Sequence, residues 1–401
     1  MKIRSITCFY HPGSQPTAAL PKLAHQIEGL KSQFTSIGWN VQTTRLATVP
    51  FGIYTTPETA VQVIQDIESS ASDQGFNYIS VGPARINHPE EFKLVPKILS
   101  ATRNVFSTGI LSHPHRGIST AAVRACASII IQAASITPDG FTNLRFCATS
   151  NVQPFTPFFP AAYSYGTQPA FALAIEAADA AIEAFQSVKT ITEGKSKMLA
   201  HMHQAAEELT SAIRQMNLQW ELPFKGFDFS LAPFPEDWCS LALAMENLGV
   251  ERIGMMGSLS AAAILAETLD RGKWLKAGFN GLMLPVLEDS TLAARSVEGS
   301  FSVKDLLMYS AVCGTGLDTV PLPGDITVDE VEPLLMDIAA LSLRLNKPLT
   351  ARLMPVPGLK SGEMTQFDFD FFKNGKILDF PASRLGRALS ASEWIEIRNR
   401  Y

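Results

Sequence analysis

The chain has 401 residues, of which 46% are hydrophobic and 18% charged, with a formal net charge of -5. That is ample apolar material for a large core and too little charge for a disordered chain. No Lys/Arg run occurs, so the electrostatic footprint of a nucleic-acid binder is missing.

The five cysteines, Cys8, Cys126, Cys147, Cys239 and Cys313, are odd in number and far apart, never in a Cys-x-x-Cys pair. This argues against a zinc ribbon or a disulfide framework and for a reducing, cytoplasmic compartment. No basic segment leads into an apolar run at the N-terminus, and no apolar stretch is long and charge-free enough to cross a bilayer. Neither a signal peptide nor a membrane anchor is expected.

The first third alternates strand and helix patterns. Met1–Tyr10 reads as a strand, and Leu23, Ile27, Leu30 and Phe34 mark a helix stripe. Trp39–Val49 is strand-like, and Pro57 opens a helix striped by Val61, Ile64 and Ile67. Asn77–Val81, Asn104–Leu111 and Leu144–Thr149 read as strands, with helices over Glu90–Ser100 and Gly117–Ser135. Strands spaced by helices imply crossovers and a largely parallel sheet.

The middle changes character. Pro154, Pro157, Pro160 and Pro169 bracket an aromatic loop containing Phe155, Phe158 and Phe159. The spacing of Phe171, Ile175, Ala178, Ile182 and Phe185 predicts a helix, followed by a second over Ser196–Met216. Together they form a helical excursion around residues 168–217 within a single 1–401 domain.

Alternation then returns. Strands are expected at Phe227–Ala232, Leu282–Val286, Leu317–Val320 and Thr350–Met354. Helices are expected at Trp238–Leu248, Ser258–Asp270, Val303–Ala311 and Thr327–Leu345. About ten candidate strands suffice to close a barrel or to form two sheets.

In parallel α/β folds, ligands meet the carboxyl ends of strands, so polar residues in strand-to-helix loops are the candidates. Ser230 sits in a proline-stiffened loop, with Asp237 placed to cap the next helix. Gly257, Ser258 and Ser260 form a glycine-rich turn whose free N–H groups suit an anion, with Ser258 as the alternative N-cap. The turn is neither a Walker loop nor a Gly-x-Gly-x-x-Gly fingerprint.

Asn280 precedes a strand that delivers the adjacent carboxylates Glu288 and Asp289; one is expected to start a helix and the other to serve as acid or base. Cys313 lies among glycines, followed by Asp318 and Asp325; it reads as a nucleophile or as a buried small hydrophobe, and Asp325 as an acid or as a helix cap. Lys347 and Arg352 supply positive charge, and Arg352 alternates with Thr350 on one strand face.

In the N-terminal half, His113 and His115 flank a strand end with Arg116. With Arg116 the two imidazoles suit an anion, or a metal if a third ligand comes from elsewhere; no third ligand is identifiable, and a solvent-facing loop is the alternative. Glu176, Asp179 and Glu183 are expected on one helix face, with Glu176 directed towards the aromatic loop.

The segments Ser230–Pro235, Gly257–Ala262, Gly278–Asp289, Val312–Asp318, Pro323–Ile326 and Asn346–Arg352, in that order, resemble the motifs of the bacterial and archaeal family called domain of unknown function 711. Thr156–Tyr163 and Phe171–Glu176 are also similar to it, so the resemblance covers most of the chain.

The resemblance implies a closed ten-stranded α/β barrel of the pyruvate formate-lyase type, with a loop entering the barrel. In glycyl radical enzymes of that fold the loop carries a reactive cysteine, for which Cys313 is the counterpart. The glycyl-radical signature Arg-Val-x-Gly is missing; Arg352-Leu353-Met354-Pro355 does not satisfy it. This chain departs from the pattern at Phe234, Ser258–Ser260, Asn280, Leu287 and Ile326, which removes several hydroxyls.

The expectation is an enzyme acting on a small, anionic metabolite without glycyl radical chemistry. Arg352 and Lys347 bind charge, the Gly257–Ser260 turn supplies N–H groups, and Asp318, Asp325 or Glu288 serves as acid or base. The alternative is a non-catalytic metabolite sensor of the same fold. No cofactor is indicated. The partner expected is a small molecule rather than nucleic acid or membrane, and self-association into a homo-oligomer is compatible with the apolar composition.

Overall fold

The computed structural model describes residues 1–217 and 222–400. The first third alternates as expected: β1 (Lys2–Tyr10), α1 (Leu20–Ser36), β2 (Val41–Thr48), α2 (Ala60–Asp73), β3 (Tyr78–Ala84), α3 (Pro89–Ala101) and β4 (Val105–Ile110). A short hairpin of β5 (Ser112–His113) and β6 (Gly117–Ser119) leads into α4 (Thr120–Ala134) and β7 (Phe146–Ser150). The middle holds β8 (Ala170–Glu176), α5 (Ala178–Phe185) and α6 (Ile191–Asn217). Then come β9 (Phe224–Asp228), α7 (Leu241–Asn247), α8 (Ser258–Asp270), α9 (Ser290–Glu298), α10 (Val303–Cys313), β10 (Gly316–Pro323), α11 (Val328–Leu345), β11 (Leu349–Val356) and β12 (Trp394–Ile395).

Local chemistry accounts for most boundaries. α1 buries Leu20, Leu23, Ile27, Leu30 and Phe34 at helical spacing against the sheet. α11 opens on a capping box, in which the Glu330 carboxylate accepts from Thr327 N at 2.8 Å, and closes on Asn346 in the left-handed region. The strands are buried on both faces, as parallel strands flanked by helices require.

Several expectations are corrected. Phe171–Glu176 is strand β8, not helix: it pairs with β1 and β9, and the helical pattern begins only at Ala178. Gly117–Ser119 is extended before α4 starts, and α2 begins at Ala60 rather than at Pro57. Leu282–Val286 makes only single bridges, Leu231↔Leu282 and Pro285↔Asp318. Ser240, not Asp237, caps α7; Gly257, not Ser258, is the N-cap of α8; and Thr327, not Asp325, caps α11.

Nine strands form one mixed, mostly parallel sheet in the order β10-β11-β7-β4-β3-β2-β1-β8-β9. β1, β2, β3, β4 and β7 run parallel to one another. β8 is antiparallel to β1, and β11 is antiparallel to β7. β9 follows the direction of β8, and β10 that of β11. The N-terminal ends of the first group therefore lie beside the C-terminal ends of the second. β5, β6 and β12 make a separate small sheet. Among the described residues no helix is long and apolar enough to cross a membrane.

Candidate functional site

The main cavity encloses about 950 Å³, counting open solvent at its mouth. Arg4 of β1, Tyr78 of β3, Phe106 of β4 and Cys147 of β7 reach it from near the starts of their strands, and Arg45 from the middle of β2. Asp318 of β10 and Arg352 of β11 reach it from the oppositely directed group. The site thus does not lie at the carboxyl ends of all the strands. The reversal of direction between β1 and β8, and between β7 and β11, brings strands of both directions to the one cavity.

Glu288 organises the charges. Arg4 Nη2 donates to its Oε2 at 2.5 Å, and Arg352 Nη2 donates to its Oε1 at 2.6 Å. Arg352 Nε also donates to Asp318 at 2.5 Å, while Arg4 Nη1 reaches the Pro233 carbonyl at 3.1 Å and Glu176 at 3.5 Å. All five side chains are largely shielded from solvent. Burial would lower Arg352, but Asp318 and Glu288 outweigh it and hold the guanidinium charged. Burial pushes the Asp318 and Glu176 carboxyls up, against the pull of Arg352 and Arg4 respectively. Such a network persists in a low-dielectric setting because each charge has a bonded partner.

Arg45 is the exception. Its Nε donates to Thr43 Oγ1 at 2.9 Å, and its guanidinium lies 5.7 Å from the Tyr78 ring centre and 5.2 Å from that of Phe159. Among the described residues no carboxylate lies within ion-pair distance of it. Burial, then repulsion from Arg4, pulls it down to about 9. A hydroxyl and two ring faces hold this guanidinium, and the cost of burying its charge is not offset by a carboxylate among the described residues.

Of the residues singled out from sequence, Glu288, Asp318 and Arg352 meet in this cavity. Thr350 lines it beside Arg352, and Glu176 touches its rim through Arg4. Glu176 belongs to β8 and not to a helix face; Asp179 pairs with the N-terminal ammonium, and Glu183 is exposed on α5.

The other candidates lie outside the cavity lining. Cys313 is buried at the end of α10, 3.8 Å from the Thr315 hydroxyl. Ser230 donates to Asp228 at 2.6 Å and accepts from Gly281 N at 3.1 Å, locking a loop. Asn280 makes four bonds: it accepts from Phe229 N and Trp274 Nε1, and donates to the Phe227 and Ala277 carbonyls. Lys347 donates to the Ala311 carbonyl at 2.9 Å, with burial lowering its ammonium. The Ser258 hydroxyl bonds inside its own turn, while Gly257, Ser260 and Asp325 are exposed. His113 and His115 stand on the small hairpin that follows the far end of β4, with ring centres 5.8 Å apart. Asp289 is the expected helix-starting acid: it accepts from Thr291 N and Leu292 N as N-cap of α9.

Sequence reasoning missed Arg4, Arg45, Tyr78 and Cys147. A signal was available, since Arg4 and Arg45 each interrupt an apolar strand as Arg352 does. Cys147, not Cys313, is the cysteine in the cavity, and burial pushes its thiol up.

The fold and cavity define an α/β protein with an arginine-rich, aromatic-lined pocket enclosed by strands of two directions. The chain belongs to the family described as Uncharacterised ACR (DUF711), whose model matches residues 1–374. It is similar to a UPF0210 protein of Pyrobaculum aerophilum, 28% identical over 367 residues, covering 86% of this chain and 79% of that one. A UPF0210 protein of Clostridium botulinum is 25% identical over 365 residues, covering 86% and 80% respectively. One from Methanospirillum hungatei is 27% identical over 352 residues, covering 82% and 76%.

Proposed function

We propose that this protein is an enzyme that binds a small anionic metabolite in the cavity and moves a proton on it. The observation that carries the reading is Arg45, a buried cation facing the cavity with no carboxylate partner. Arg45 takes the anionic group. Asp318, whose burial favours the protonated form, serves as general acid or base beside it. Glu288 fixes Arg4 and Arg352 and sets the charge around Asp318. Cys313 and Asp325 carry no part in this reading, because neither lines the cavity.

A second reading, a non-catalytic sensor, is favoured by the pairing itself. Both carboxylates in the lining are engaged by guanidinium groups, and the thiol there is held neutral. The two readings share the ligand and differ in turnover.

We read the fold as a single domain and a closed ten-stranded barrel, with residues 276–286 as the tenth strand. The single bridges from that segment to Phe227, Leu231 and Asp318 support this, as does one apolar cluster running from Ile3 to Leu378.

The test is a set of thermal melts of the purified protein with small carboxylates and inorganic phosphate, alongside Arg45→Gln. A ligand bound only by the native state raises the midpoint. A rise that Arg45→Gln abolishes supports the anion site; a midpoint unmoved by every anion sinks it. Chemical change of a bound compound, lost in Asp318→Asn, separates enzyme from sensor.

A further inference from the structure

We infer that the ligand is a monocarboxylate with an apolar, aryl-sized body, and that Phe369 and Phe371 select it; this rests on the reading of the cavity as an anion site. Charge sets the first part. The lining carries three guanidinium groups and two carboxylates, and only Arg45 lacks a carboxylate partner. One negative group is therefore matched. A second would lie near Glu288 and Asp318 with no free cation to meet it. With Nε committed to Thr43, the two terminal nitrogens of Arg45 remain as a fork suited to a carboxylate.

Phe106, Phe158, Phe279 and Met283 give much of the remaining wall rings and a thioether, while Gln42, Thr43, Thr315 and Thr350 supply its uncharged polar groups. A compound that is polar throughout would lay part of its surface against those rings, where no hydrogen-bond partner meets it.

One folded-back segment contributes two of these lining residues. Residues 362–377 fold back on themselves: Gly362 N donates to the Ile377 carbonyl and Ile377 N to the Glu363 carbonyl, both at 2.9 Å. Asn374 clasps the neck, accepting from Phe367 N at 2.8 Å and donating to the Phe367 carbonyl at 3.1 Å. Lys373 N donates to the Leu287 carbonyl at 2.7 Å, which ties the finger to the residue before Glu288. Phe367 and Phe372 anchor it in an apolar cluster, Asp368 and Asp370 face solvent, and Phe369 and Phe371 turn into the cavity. The finger thus adds two rings to the cavity lining, against which the apolar body of the ligand packs.

Calorimetric titration of the full chain with phenylacetate, acetate, succinate and inorganic phosphate tests this, on the wild type and on Phe371→Ala. Phenylacetate is expected to bind roughly tenfold or more tighter than acetate, from the apolar area it removes from water. Phe371→Ala is expected to lose most of that preference while still binding acetate. Phosphate, succinate or acetate binding as tightly as phenylacetate overturns the ligand class and leaves the anion site standing. No heat from any anion overturns both. Comparing phenylacetate with acetate on the wild type decides the class even if Phe371→Ala fails to fold, and Phe371→Leu then tests the finger.

Discussion

Arg4 and Arg352, from opposite ends of the chain, are held by the two oxygens of one carboxylate, that of Glu288. The acid is buried between cations that belong to strands of opposite direction. Glu288→Gln removes the negative charge and leaves two buried guanidinium groups to Glu176 and Asp318 alone. Breaking a buried pair in this way costs about 3–5 kcal/mol. Equilibrium urea unfolding is expected to show that loss, and a variant within about 0.5 kcal/mol of wild type would refute the bridging role.

Arg45 makes the opposite prediction. Its charge is buried without a carboxylate, so removing it relieves a cost in the empty protein. Arg45→Met keeps much of the side chain's bulk and its contact with Tyr78 and Phe159. The empty variant is expected to be more stable, by on the order of 1 kcal/mol, while losing anion binding. Thermal melts with and without phenylacetate read both effects; a destabilised variant that still binds would contradict the assignment.

The dependence of stability on pH follows from four buried carboxyls. Burial raises Glu176, Asp228, Asp289 and Asp318 above their ordinary values. In the window between the unfolded and folded pKa values the native state holds the extra protons. Their contribution is therefore complete below the ordinary carboxylate range, near pH 4, and is lost as pH rises through the folded values. Glu58, Glu90 and Glu267 shift the other way but are exposed, so their opposing effect is screened. Denaturant midpoints are expected to fall as the pH is raised above the ordinary carboxylate range, near 4. A midpoint that climbs instead would reverse the assignment.

Asn280 occupies a left-handed position, φ 46, and satisfies backbone groups of Phe227, Phe229 and Ala277 as well as the Trp274 indole. Asn280→Ala strands buried donors and acceptors at about 1–3 kcal/mol each before relaxation. The expected outcome is a marked drop in the unfolding midpoint together with a changed Trp274 fluorescence signal. An unshifted midpoint would show that Asn280 is dispensable to the loop.

The sequence was legible where one physical pattern dominated. β3 read as a strand because a buried parallel strand is a short, largely apolar run, and α11 as a long helix, although its cap is Thr327 and not Asp325. β8 was not legible: Ala-Phe-Ala-Leu-Ala-Ile-Glu is made of helix formers, and the apolar spacing of Phe171 and Ile175 continues into α5. Pairing with β1 and β9 overrides that local preference. Leu282–Val286 reads as a strand by composition, yet Pro285 lacks a ladder donor and only single bridges form.

The site was half legible for a related reason. Arg352 and Glu288 stand out in the C-terminal half, where ligands were expected at strand ends. Arg4 lies near the start of β1 and Arg45 in the middle of β2, away from the carboxyl ends at which candidates were sought. Cys313 drew attention through its glycines. Of those, Gly316 instead serves a close approach between strands: a Cβ there would lie 2.1 Å from the Thr350 carbonyl oxygen.

The pairing of β11 with β7 has a consequence for a chain made from its N-terminus. β7 emerges early, but the strand that covers it arrives only after β8, β9 and β10 have been synthesised. Throughout that interval β7 presents an open edge able to template pairing with another molecule. Arg4 waits longer still for Glu288, which follows it by 284 residues. The emerging protein therefore passes through its most association-prone state just before the site is complete, and growth conditions that slow translation of the last third should reduce the yield of folded protein.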